Sequence, residues 1–127
     1  MSRGILDTSV LIATDVTPIT GELAISVASL AELQFGVLVA KTAEARALRL
    51  ARLSAIQRRF DPLPIDEAIT DSYARLAARV VEVGRQPRAR VMDLLIAATA
   101  HAHDAAIYTR NADDLAGLED LIKIRTI

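Results

Sequence analysis

The chain has 127 residues, is 52% hydrophobic and only 3% aromatic, and carries a formal net charge of −1. It contains no cysteine, which excludes disulfides and thiolate metal sites. The molecule is not a polycation, so any nucleic-acid contact must come from a local patch. The length fits one domain over residues 1–127, with a core of Leu, Ile, Val and Ala. No apolar run approaches the length of a bilayer span, and no basic leader precedes the first apolar segment. The expectation is a cytoplasmic protein with no membrane partner.

Gly4-Ile5-Leu6 opens the chain as a short buried strand, and Asp7 stands where it ends. Thr8 and Ser9 follow, then the apolar run Val10-Leu11-Ile12. Pro18 and Gly21 mark a loop, after which Leu23 to Val27 reads as a second buried strand. Ser29-Leu30-Ala31-Glu32 fits a capping box, and the helix it opens runs to Ala40. Thr42 caps a third helical segment, Ala43 to Phe60. Asp61-Pro62-Leu63-Pro64-Ile65 is an extended piece whose prolines demote it to an edge strand or loop.

Asp66 starts the most regular helix. Ile69, Tyr73, Leu76, Val80 and Val83 recur at helical spacing, and Gly84 ends it. Arg85 to Arg90 is a basic loop carrying Pro87. Met92 to His103 is a helix that is apolar nearly all round and should be buried. Ala105 to Tyr108 is a buried strand, Thr109 to Gly117 is turn-rich, and Leu121 to Arg125 alternates like a half-exposed edge strand. Strands alternating with helices predict an α/β fold, with a mostly parallel sheet of four to five strands flanked by helices.

Acids or amides recur at the strand-to-helix junctions: Asp7, Glu32, Asp93, and the group Asn111, Asp113 and Asp114. Each has a plain structural role available, as a cap or a turn residue. Together they would face the sheet edge where open α/β folds bind ligands. Two carboxylates about 4 Å apart repel by ~4 kcal/mol at an effective dielectric near ~20. Such a cluster needs a cation or raised pKa values. Without Cys, the fitting ion is Mg²⁺ or Mn²⁺ on oxygen ligands. Thr8, Ser9 and Thr109 can support ligands near that rim or act as local caps. His101 and His103 are two residues apart and do not share a helix face. Thirteen of the fifteen basic residues are Arg. Arg85, Arg88, Arg90 and Arg110 lie next to the acidic stretches and are the candidate contacts to nucleic-acid phosphates.

Four stretches, in order, resemble the motifs of PIN domains. Ile5-Leu6-Asp7-Thr8-Ser9-Val10-Leu11-Ile12 resembles the opening motif, and Ala31-Glu32-Leu33-Gln34-Phe35-Gly36 the second. Met92-Asp93-Leu94-Leu95-Ile96-Ala97-Ala98 resembles the third, and Tyr108-Thr109-Arg110-Asn111-Ala112-Asp113-Asp114-Leu115 the fourth. Order and spacing match along nearly the whole chain, and the compact length is similar to that of VapC-type toxins. The resemblance implies a PIN fold and a Mg²⁺- or Mn²⁺-dependent endoribonuclease. It also implies a cognate VapB-type antitoxin and a homodimer. By the same resemblance Asp7 and Asp93 ligate metal and Glu32 completes the acidic pocket. At the fourth position Asn111, Asp113 and Asp114 compete. Asp114 is favoured, because Asp114-Leu115 looks like the acid–apolar pair that closes this motif. Two other readings stand beside it. One is an Asp-nucleophile phosphatase or phosphoacceptor, poorly served by Ser9 where a second acid is needed. The other is a non-catalytic RNA- or protein-binding module.

Overall fold

The computed structural model describes residues 3–127. Its elements run β1 (Arg3–Leu6), α1 (Thr8–Leu11), β2 (Glu22–Ala24), α2 (Val27–Leu38), α3 (Ala43–Arg59), α4 (Glu67–Glu82), α5 (Val91–Ala102), β3 (Ala106–Thr109) and β4 (Ile124–Thr126). The sheet has four strands in the order β2-β1-β3-β4, and every pairing is parallel. The expected α/β class and parallel sheet are therefore found, at the lower of the two strand counts.

Successive residues of each strand point to opposite faces, and the two faces are covered separately. Ile5 and Ile107 join Ile69, Leu76, Val80, Leu94, Ile96 and Leu118 in one core, beneath α4 and α5. Leu6 joins Val10, Ile25, Leu33, Leu53 and Ile56 in the other, beneath α1, α2 and α3. Ala97, Ala98 and Ala100 are fully buried, so α5 lies close against the sheet. This places the start of α5 beside the ends of β1 and β3.

Several boundaries differ from the sequence reading. The second strand stops at Ala24, because Ser26 turns the chain by accepting from the Ala28 amide at 3.0 Å. Val27 is thus helical, and Ser26 rather than Ser29 is the cap. Ser29 lies fully buried one turn further in, so no capping box forms with Glu32. Part of the basic stretch is a 3₁₀ turn, Pro87–Arg90, and α5 begins at Val91. β3 is shifted by one residue to include Thr109. The last strand is confined to Ile124–Thr126, while Ile122 packs into the core ahead of it. Val83 lies past the end of α4 and is exposed. Thr42 and Asp66 cap α3 and α4 as expected, and Leu63 forms an isolated parallel bridge to Ser26.

Candidate active site

The acids meet at the C-terminal edge of the sheet. Asp7 follows β1 in extended conformation (φ −68°, ψ 156°) and caps α1. Its Oδ1 accepts from the Thr8 amide at 2.8 Å. Its Oδ2 accepts from Thr109 Oγ1 at 2.7 Å and from Ser9 Oγ at 2.9 Å. Those two hydroxyls are themselves held by the backbone after β3. The Arg110 amide donates to Ser9 Oγ and the Asn111 amide to Thr109 Oγ1, each at 3.0 Å. Residues about a hundred positions apart thus fix one carboxylate, and Thr109 is buried in doing so.

Asp93 is in the first turn of α5 and is half-buried. Burial, and then the negative charges of Asp7, Asp114 and Glu32, push its pKa from 3.8 up to about 6, against the opposing pull of Arg90. Asp114 lies in a second 3₁₀ turn, Ala112–Leu115. Asp7, Asp93, Asn111 and Asp114 line one small cleft, floored by Ile107 and Leu115. Asp113, next in sequence, is exposed and stands outside that lining. Glu32 is on the α2 side, where Thr8 Oγ1 donates to its Oε1 at 2.6 Å. Ser29 Oγ lies 3.1 Å from the same hydroxyl. Sequence reasoning missed Ser29 as a part of the site, because an S-x-x-E spacing reads as a helix cap before it reads as a contact to α1.

The arginines are differently disposed. Arg90 Nη1 pairs with Asp114 Oδ1 at 3.1 Å. Arg85 Nη1 donates to the Asp113 and Ala116 carbonyls, at 3.0 and 3.4 Å. Arg110 pairs with Asp15 at 2.6 Å, and its Nε is buried without a partner. Arg88 is exposed. In α3, Arg46 and Arg49 donate to the Ala40 and Gly36 carbonyls, so part of that Arg block secures α2 to α3. His101 Nδ1 lies 2.8 Å from Ser72 Oγ, a packing contact away from the acids.

The donor set suits a hard divalent ion, since each polar side chain lining the cleft offers oxygen. The partly buried Asp93, raised by its acidic neighbours, is the local evidence that positive charge would be favoured there. Among the described residues, no three acidic or histidine side chains form a ready-made metal cluster. An ion held there would complete its shell with water, as Mg²⁺ commonly does. No described helix is long and apolar enough to cross a membrane.

The chain resembles known proteins along nearly its whole length. The family model for the PIN domain matches residues 5–120. Ribonuclease VapC5 of Mycobacterium tuberculosis is 39% identical, over 99% of this chain and 95% of its own length. Ribonuclease VapC4 of the same organism is 38% identical, over 94% and 93%. The crystal structure of VapBC-5, a member of the VapBC family of toxin-antitoxin systems from M. tuberculosis, superposes with a TM-score of 0.85 at 38% identity. That match covers 100% of this chain and 98% of the other. DNA-bound VapBC from Salmonella typhimurium has the same fold, with a TM-score of 0.76 at 23% identity, over 99% and 98%.

Proposed function

Because this chain belongs to the PIN domain family, and within it to the VapC group, we propose that it is an endoribonuclease, the toxin of a bacterial toxin–antitoxin pair. It hydrolyses RNA phosphodiester bonds with Mg²⁺ or Mn²⁺ as cofactor. The observation that carries this reading is the convergence of Asp7, Asp93 and Asp114 on one cleft at the sheet's C-terminal edge. Asp7 and Asp93 would hold the metal. When bound, the ion would polarise the scissile phosphate and acidify an attacking water.

The chain's own residues do the rest. Thr109 and Ser9 fix the Asp7 carboxylate, so its remaining lone pairs have a defined direction. Asp93 holds its proton to about pH 6 and is ionised above it, which is when it can best attract a cation. Asp114 lines the same cleft, where it would orient water. Glu32, joined to Thr8, adds negative charge behind Asp7. Of the four candidate arginines Arg88 alone is exposed, which leaves it freest to meet an RNA phosphate. Exposed Phe35, Leu38 and Leu48 on the α2–α3 hairpin offer apolar surface of the kind a VapB-type antitoxin or a second copy in a homodimer would cover.

The test is cleavage of RNA by purified protein with Mg²⁺ or Mn²⁺, with EDTA, and with Asp7→Asn. Cleavage is expected only with metal and only with Asp7 intact, the variant losing at least about a hundredfold. Cleavage that survives both EDTA and Asp7→Asn would show the wrong chemistry. RNA binding without cleavage under any metal would favour a non-catalytic module.

A further inference from the structure

Among the described residues, one ion pair touches the acidic cleft. Arg90 Nη1 donates to Asp114 Oδ1 at 3.1 Å and lies 3.3 Å from the Asp114 carbonyl oxygen. The arginine side chain is 26% exposed, so its charge is partly withdrawn from water. It precedes α5 by one residue and so sits beside Asp93 as well. Asp7, by contrast, is satisfied by hydroxyls and one backbone amide. Three carboxylates therefore line the cleft, and one of them, Asp114, is paired with a cation, Arg90, that stands just outside the lining.

We propose that Arg90 is a positioning residue of this cleft. By holding Asp114 through both side chain and backbone, it keeps that carboxylate off a bound divalent ion and offsets one of the three clustered charges. The cleft then binds the ion less tightly than three free carboxylates would, and Asp114 keeps a fixed pose. This rests on the nuclease reading above and extends it to the tuning of the site.

The physical argument is electrostatic and geometric. A fixed positive charge opposes the arrival of a divalent ion, whereas a released carboxylate favours it. Removing Arg90 takes one positive charge away from beside the cleft, leaving the site more negative by one, and frees Asp114 to swing. Ion binding should tighten while catalysis falls, because a mobile group no longer orients a reactant. An arginine that served only to contact RNA phosphate would leave ion binding in the absence of RNA unchanged.

The experiment is calorimetric titration of the metal-free full chain with Mn²⁺, without RNA, alongside RNA cleavage at saturating Mn²⁺. Arg90→Gln should bind Mn²⁺ about tenfold more tightly, and Arg90→Lys, which keeps the charge, should stay within about threefold of the original. Arg90→Gln/Asp114→Asn should return to roughly the original affinity, since one charge of each sign is gone. Asp114→Asn alone leaves Arg90 unopposed and should weaken binding by about tenfold, which tests the idea even if Arg90→Gln does not fold. Cleavage by Arg90→Gln should drop about tenfold despite the tighter ion. Equal or weaker Mn²⁺ binding by folded Arg90→Gln, or unchanged binding by Asp114→Asn, overturns the role given to Arg90 and leaves the nuclease reading standing. Failure of the unaltered chain to bind Mn²⁺ or cleave RNA overturns both.

Discussion

At Asp93 two costs meet in one side chain. Burial disfavours its charge, and Asp7, Asp114 and Glu32 add repulsion, so its pKa rises from 3.8 to about 6. The sign for stability follows from proton counting. Below both values the carboxyl is neutral in folded and unfolded chains alike, and it costs nothing. Between them the folded chain keeps a proton that the unfolded chain has released, so metal-free stability falls as pH rises through this window. Above about 6 the penalty is complete. In a sealed site it would be about 3 kcal/mol; at this half-open position solvent screening leaves roughly 1 kcal/mol. Asp93→Asn should therefore raise the melting temperature of metal-free protein at about pH 7.5, with roughly half of the gain gone at about pH 5. The same variant should lose cleavage. A gain equal at both pH values would mean that the Asp93 charge is not under strain. The place of this residue, an acid in the first turn of a helix that is apolar nearly all round, was legible in the sequence. Its shifted ionisation was not, because that depends on neighbours delivered by β1, α2 and the fourth motif.

The turn Ala112–Leu115 decides which acid enters the cleft. Leu115 is buried and anchors the turn, and Arg85 and Arg90 hold its backbone carbonyls. With that anchor fixed, Asp114 faces Asp7 and Asp93 while Asp113 faces solvent. Asp114→Asn should consequently reduce cleavage about tenfold or more, and Asp113→Asn should stay within about twofold, with melting temperature nearly unchanged. Asn111→Ala should fall between, since Asn111 lines the cleft without a charge to lose. Loss concentrated in Asp113→Asn would place the turn one residue out of register. The acid–apolar pair Asp114-Leu115 carried this much in the sequence itself. Helix starts were legible where one side-chain cap stood alone, as at Thr42 and Asp66. They were misread where two serines compete three residues apart. Ser26 takes the cap, accepting from the Ala28 amide, and Ser29, one turn on and fully buried, meets Thr8 instead. Likewise the alternation in Leu121 to Arg125 signalled an edge strand, but Leu121 and Ile122 lie outside the ladder, Lys123 only accepts from the Ile107 amide at 2.8 Å, and the strand proper is Ile124–Thr126.

At the scale of the whole molecule, the cleft exists only because the sheet does. Asp7 arrives with β1, Asp93 with α5, and Asp114 with the turn after β3. Parallel pairing of β1 with β3 aligns Leu6 with Tyr108, and the Asp7 amide continues the ladder to the Tyr108 carbonyl at 3.0 Å. Bringing these segments together gathers like charges at one edge, so each core layer works against some repulsion there. An unfolded chain scatters the same acids and offers no comparable site. A divalent ion should then bind the folded state alone, and the gain in stability should grow with concentration, reaching about 2.7 kcal/mol at ~100 times its dissociation constant. The melting temperature should rise with Mg²⁺ along that curve and fall back on adding EDTA. In Asp7→Asn/Asp93→Asn the metal-free protein should start higher, relieved of repulsion, and respond to Mg²⁺ little or not at all. A Mg²⁺ response equal in both proteins would locate the ion elsewhere, for the double variant removes the two carboxylates on which this cleft's claim to a cation depends.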